Sequence, residues 1–437
     1  MALGEPKIQN QNRPMIELKH DQLHISFPSL ADQIRQLLAD HESRVLPRIL
    51  SEDRSAALNA YLGGRFSNAE MERPVNVARL ARLTDEGIRD LFRSKLDCKS
   101  RPDVSCRLDF QRTLRLPDDG KTYFLPPGRG CFPLRHVDDH TEGVPSSWIE
   151  RGGVLMPMYQ AEALWLNFHG DYPVALKVGA GKINAVSGEE WNNGLHREPQ
   201  DYVVIPEQPW LDGFSVGKGV IRQFVATPLG DGCTVEEQVT GKGEFGGIQI
   251  QVYPMKARLY FDRFVKKSLP DSLSDLLPDL LMEDTGAIMF CDRVLYSAPS
   301  CVTECDMDMG LGMGGRMQQE IYEDPYGLAE WDLEETSRCF VHLCNALQWR
   351  EITGANPPQT PVTAKEYEMA GLPWFDYYRD DLAVLEGSKI LSGLKSILKI
   401  RSETKGNASL PEKGVTVPSV VSCGPTKRPD QVREWTE

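Results

Sequence analysis

The sequence predicts an α+β protein: a central antiparallel β-sandwich or jelly-roll flanked by N-terminal and C-terminal helices. Two observations predict it. Between Gly153 and Lys256 short apolar runs alternate with Gly, Pro and Asp, as strands joined by tight turns do, and Trp165, Trp191 and Trp210 are set among them. On either side of that block, apolar residues recur at helical spacing.

Residues 1–14 are polar and read as disordered, and 15–106 as a helical N-terminal region. There, 23–27 suits a strand leading into a helix begun near Ser29, because Leu30, Ile34, Leu37, Leu38, Val45 and Ile49 lie close to one helical face. A second helix is expected over 75–96. At 108–124 the pattern alternates and then turns at Asp119-Gly120, a hairpin signal, so the β core is placed at 107–262. Its strands are expected at 163–168, 173–178, 182–186, 202–205, 220–226 and 247–253. Residues 263–308, acidic and Leu-rich with Pro270 and Pro278, read as an insertion or linker. A helical C-terminal region is expected over 309–400, with helices at 333–347 and 379–400 and a capping box at Thr363-Ala-Lys-Glu366. Residues 401–437 read as a flexible tail.

At 437 residues, with 41% hydrophobic and 26% charged side chains, the chain is long enough for a sizeable core and ordinary in composition. A net charge of −14 works against binding nucleic-acid phosphates or anionic lipid, so neither partner is expected. No apolar run approaches the roughly 20 residues that span a bilayer, and the start lacks a basic-then-apolar leader. A cytoplasmic, soluble protein is the expectation. The ten cysteines include no C-x-x-C pair and read as reduced thiols, Cys301 and Cys305 forming the closest group.

Motifs for named chemistries occur without their contexts. Gly213-Phe-Ser-Val-Gly217 has the form of a nucleophile elbow, but residues 218–225 have strand composition, so Ser215 reads as a turn residue, with only His342 far enough downstream to serve as its base. Gly310-Leu-Gly-Met-Gly-Gly315 comes after acidic residues rather than a buried strand and reads as a mobile loop, while Gly179-Ala-Gly-Lys182 reads as a hairpin bend. No nucleotide cofactor is expected. His136, Asp138 and His140 would share one side of an extended segment, which makes a divalent metal possible against the alternative of a solvated loop. Glu162, Asp201, Glu207, Asp212 and Arg222 are further candidates for acid–base work within the β block. Trp165, Trp191 and Trp210 are candidates for a ligand pocket or sugar platform, set against ordinary core positions.

Several phrases, among them Met158-Tyr-Gln-Ala-Glu-Ala-Leu-Trp165, Pro206-Glu-Gln-Pro-Trp-Leu-Asp-Gly213, Ile221-Arg-Gln-Phe-Val-Ala226 and Ile321-Tyr-Glu-Asp-Pro-Tyr326, resemble an uncharacterised family of soluble bacterial and fungal proteins. The resemblance covers about 107–262 and 309–385. Some members carry a ubiquitin-like insert where residues 264–308 stand here, and this sequence has no recognisable ubiquitin there. The resemblance implies that the β block and the C-terminal part act as one unit, and it supplies no activity, ligand or catalytic residue. From the residues, two functions stand: a non-catalytic binding or self-assembling protein, with a small molecule or a second copy as partner, or a small-molecule enzyme using metal-assisted or acid–base chemistry.

Overall fold

The computed structural model describes residues 14–58, 84–97, 103–281, 308–371, 373–377, 379, 381–404, 417 and 419–422. These divide into a helical unit, Phe27–Val104 with Met255–Tyr296, and a sheet unit, Pro14–Ser26, Ser105–Pro254 and Ser297–Glu437.

In the helical unit Pro28 opens helix α1, Pro28–Ser51, at a position where its missing N–H costs nothing. Leu30, Ile34, Leu38, Val45 and Ile49 form its buried stripe, with His41 among them, stacked 6.2 Å from Phe92 of α2, Asp85–Asp97. Burial lowers the pKa of His41. Residues 263–281 were expected as linker and instead belong here: Phe261, Val265, Leu273, Leu276 and Leu277 are buried, and Glu52 caps the turn by accepting Leu273 N–H at 2.9 Å.

The sheet unit begins with the hairpin β1, Met15–Lys19, and β2, Gln22–Ser26. Next come β3, Ser105–Thr113; β4, Thr122–Tyr123; β5, Arg135–His136; the short helix α3, Ser146–Arg151; and β6, Val154–Met158. The expected tryptophan block supplies β7, Ala163–His169; β8, Val174–Ala180; β9, Ile183–Asn184; β10, Val203–Ile205; β11, Trp210–Leu211; β12, Gly213–Gly217; and β13, Val220–Pro228. After these stand α4, Val235–Thr240; β14, Ile248–Pro254; β15, Asp308–Gln318; and β16, Ser337–Asn345. These strands join in one mainly antiparallel sheet whose main path is β1-β2-β3-β7-β13-β15-β16-β14-β8-β10. The protein is α+β with a sheet-rich core.

The two ends of this path differ in burial. Every residue of β8 and β14 is buried, whereas β7 alternates, with Leu164, Leu166 and Phe168 inside and Trp165, Asn167 and His169 partly exposed. That alternation puts a polar face on the β2-β3-β7 end.

Several expectations are corrected. Residues 337–345, expected as helix, form β16, because a strand buried on both faces shows no period-two pattern. The glycine-rich run 310–315 lies within β15 instead of a loop. A Cβ at Gly312 would fall 2.6 Å from the Cys233 carbonyl oxygen and one at Gly315 2.5 Å from that of Pro117, so neighbouring backbone requires glycine there. Gly213–Gly217 is strand β12, not a turn. The Asp119-Gly120 turn exists, but β4 beyond it pairs in parallel with β15 and not with β3. The 333–347 helix is replaced at its end by α5, Ala346–Thr353, which starts only after the strand.

Gly387, at φ +79°, and Ser388, which caps the next turn, break the helix expected over 379–400 into α7, Lys389–Ser392, and α8, Ile397–Thr404. The capping box at Thr363 is present on α6, Ala364–Met369. The tail reading fails at two places: α8 continues past Arg401, and Val420–Ser422 pairs with Trp374–Asp376. Residues 1–13, 75–83, 282–307, most of 405–437 and the pair Cys301 and Cys305 lie outside the described residues.

Candidate functional site

Cross-strand register arranges the open face of β2, β3, β7 and β11 into rows. Asp109 is opposite Asn167, which is opposite Trp210, and Gln22 reaches the same carboxylate from β2. The row on one side pairs Gln111 with Trp165, and that on the other runs His24, Arg107, His169. Asp109 is 1% exposed although it points to the open face, because its neighbours close over it.

Those neighbours are donors. Gln22 Nε2 donates to Asp109 Oδ2 at 3.0 Å, Asn167 Nδ2 to the same oxygen at 3.3 Å, and Gln111 Nε2 to Oδ1 at 2.6 Å. His169 Nε2 lies 3.2 Å from Oδ2, and the Cys131 thiol donates toward Oδ1 from 3.9 Å. Carboxamides that give their N–H groups inward present their carbonyl oxygens to whatever arrives from outside. Beside them stand aromatic rings: Trp165 and Trp210 meet edge to face at 6.3 Å, and Tyr377 packs on Trp210 at 4.7 Å. Gly128 packs closely against this wall, since a Cβ there would come 3.1 Å from Trp165 Cζ2 and 3.3 Å from Gln111 Oε1. Along the adjacent row, burial lowers the pKa of His24, helped by Lys19 and Arg107. The face therefore combines a buried carboxylate held by carboxamide donors with a cluster of aromatic rings.

Two of the three tryptophans singled out in the sequence, Trp165 and Trp210, come together here. Trp191 does not: Lys177 Nζ is 5.3 Å and the Arg338 guanidinium 5.6 Å from its ring centre, a packed cation–π arrangement. Asp201 is engaged with Lys177 Nζ at 2.7 Å, and Glu162 with Arg112 at 2.5 Å. Burial raises the pKa of Glu162, and Arg112 opposes that rise. Glu207 accepts the Tyr326 hydroxyl, with its pKa likewise raised by burial. Arg222 reaches Asp118 at 3.2 Å.

Ser215 is buried in β12, where its N–H donates to the Ala185 carbonyl at 3.0 Å and its carbonyl accepts from Ser388 N–H at 2.9 Å. His342 is not its base. That ring is stacked between Trp148 and Phe340, with Nε2 3.0 Å from the Gly152 carbonyl, and burial pushes its pKa down to about 4. His136 ends β5, and residues 137–140 wind into a 3₁₀ turn, so the extended geometry that would align His136, Asp138 and His140 is not formed. Among the described residues no three His, Cys, Asp or Glu side chains converge as metal ligands.

Asp212 is wholly buried, accepts Gln319 Nε2 at 2.9 Å, and has its carboxyl pushed up to about 7 by that burial. The unfolded chain ionises this group near 3.8 while the folded chain holds the proton to about 7, so its contribution to stability falls as pH rises from about 4 to 7 and is flat above. In urea unfolding between pH 5 and 8, Asp212→Asn should remove a pH-dependent loss on the order of 3 kcal/mol. Parallel curves for the two proteins would refute that assignment.

Asp109, Gln22, Gln111, Asn167, Cys131 and Tyr377 escaped sequence reasoning. The available signal was the alternation of 107, 109 and 111 with 165, 167 and 169, which places these side chains on one side of their strands. Comparison with known proteins gives no match: no family model fits the chain, and no curated protein or solved structure is similar to it. Among the described residues no helix is long and apolar enough to cross a membrane.

Proposed function

We propose that the protein is a non-catalytic binding protein whose ligand, a small hydroxyl-rich molecule of the saccharide or polyol class, sits on the aromatic and carboxamide face. One observation carries this reading. The buried Asp109 carboxylate takes the N–H groups of Gln22, Gln111 and Asn167, so their amide oxygens are the acceptors that this face has to offer beside Trp165 and Trp210. Hydroxyl groups donate to such oxygens, and the C–H face of a sugar ring lies against indole. A soluble, cytoplasmic chain that assembles with its own copies, and kinship with the microbial family it resembles, belong to the same proposal. So does a sandwich-like closure of the sheet, supported by the burial of both faces of β8 and β14. The enzyme reading has Asp212 in its favour, with a carboxyl near neutrality, but that group is fully enclosed and bonded to Gln319.

Titration of tryptophan fluorescence with a panel of monosaccharides, disaccharides and polyols tests this. A saturable change is expected for at least one of them, with affinity reduced about tenfold in Trp210→Ala, the stacking loss of roughly 1.4 kcal/mol. A panel without any response, or unchanged affinity in both Trp165→Ala and Trp210→Ala, would sink the proposal.

A further inference from the structure

Residues 256–267 hold Lys256, Arg258, Arg263, Lys266 and Lys267 against one carboxylate, Asp262, in a chain of net charge −14. The sign is reversed locally. Residues 257–268 form one helical run in the helical unit, burying Ala257, Phe261, Val265 and Leu269, a stripe four residues apart. A four-residue step drifts around an α-helix, and the wide π turn at Phe261–Val265 offsets that drift. All five cations are exposed.

Phe264 departs from the apolar-inside pattern: it is 41% exposed among these cations, with Tyr260 packed on its ring at 5.4 Å. An exposed ring alone is ordinary, but a ring set among clustered cations on a helix has the composition of an interfacial surface. Asp262 answers Arg258 at 2.7 Å, and five cations less one carboxylate leave a surplus of four. Arg44 of α1 adds to it, since its charge and that of Lys266 both bear on the buried His41 ring. The net charge argues against anionic partners for the chain as a whole, but charge is screened over about 8 Å at physiological salt. At contact distance the local surplus decides.

We propose that this face of the helical unit docks reversibly on an anionic membrane surface, with Arg263, Lys266 and Lys267 against lipid headgroups and the Phe264 ring entering the layer beneath. Charge complementarity selects the partner's sign, and Phe264 selects its kind. A membrane offers anionic groups with an apolar boundary directly under them, whereas an acidic peptide or a nucleic acid answers the cations without receiving the ring in that way. The surface shares no residue with the Asp109 face, so either proposal stands without the other.

Co-sedimentation with vesicles of phosphatidylcholine alone, and of phosphatidylcholine with phosphatidylserine, is the test. The chain should bind only the second and be released as salt is raised. In Lys266→Gln with Lys267→Gln the partition coefficient should fall about thirtyfold, the equivalent of about 1 kcal/mol per charge. Phe264→Ala should lower it about tenfold. All three positions are exposed, so the variants should fold, which circular dichroism checks. Absence of binding to phosphatidylserine vesicles, or unchanged partition in either variant, would overturn the proposal. Polyglutamate and a single-stranded oligonucleotide are titrated in parallel, and binding to one of them without binding to vesicles would overturn it equally.

Discussion

Replacing Lys177 by methionine should lower the unfolding free energy by about 3–5 kcal/mol, the loss expected when one partner of a buried ion pair is removed. The Lys177 side chain is 1% exposed and that of Asp201 2%. Its ammonium shares three N–H groups among four oxygens within reach: the Asn192 carbonyl and Oδ1 at 3.1 Å, the Gly194 carbonyl at 2.7 Å and Asp201 Oδ2 at 2.7 Å. Methionine fills the space and leaves all four without their donor. Asp201 would retain His196, whose N–H donates at 2.9 Å and whose Nδ1 lies 3.0 Å from Oδ2. Urea unfolding measures the result, and a loss under about 1 kcal/mol would show that His196 alone neutralises the carboxylate. Removing both charges, in Lys177→Met with Asp201→Leu, should cost less than the single change, because no buried charge is then left unpaired.

Asp109→Ala is expected to abolish ligand binding, with affinity falling at least a hundredfold in the fluorescence titration, while the chain still folds. Without the carboxylate, Gln22, Gln111 and Asn167 are no longer held with their nitrogens inward, and the acceptor array is lost as a set. The carboxamides are partly exposed and can turn to water, so the stability cost should be about 1–3 kcal/mol, checked by urea unfolding. Affinity within threefold of the parent would show that Asp109 does not organise the face.

How far each element could be read from the sequence depends on its physical surroundings. The strands at 163–169, 174–180 and 248–254 were legible because turn residues bound them, and α1 because its buried positions recur at helical spacing. β16 was read as a helix because both its faces are covered, which erases the alternation that marks a strand. β15 was read as a loop because its glycines answer to backbone that approaches from 117 and 233. Trp165 and Trp210 were legible as candidates, while the group that gives them a role was not: Gln22, Asp109, Gln111, Asn167 and Tyr377 are scattered along the chain. Only the register of β2, β3, β7 and β11 brings the first four to the rings.

The strand order has a consequence for how the chain emerges during synthesis. β13 and β14 are complete once Pro254 has been made, yet β15 and β16, which lie between them in the sheet, are encoded at 308–345. At about 5–20 residues per second, the ribosome needs roughly 5–20 s to reach Asn345 from there. Through that interval β13 and β14 each present an open edge that the finished protein covers, the kind of template on which another strand can add. The newborn chain is thus most adhesive late in its own synthesis, and its central strands act as the closing seam.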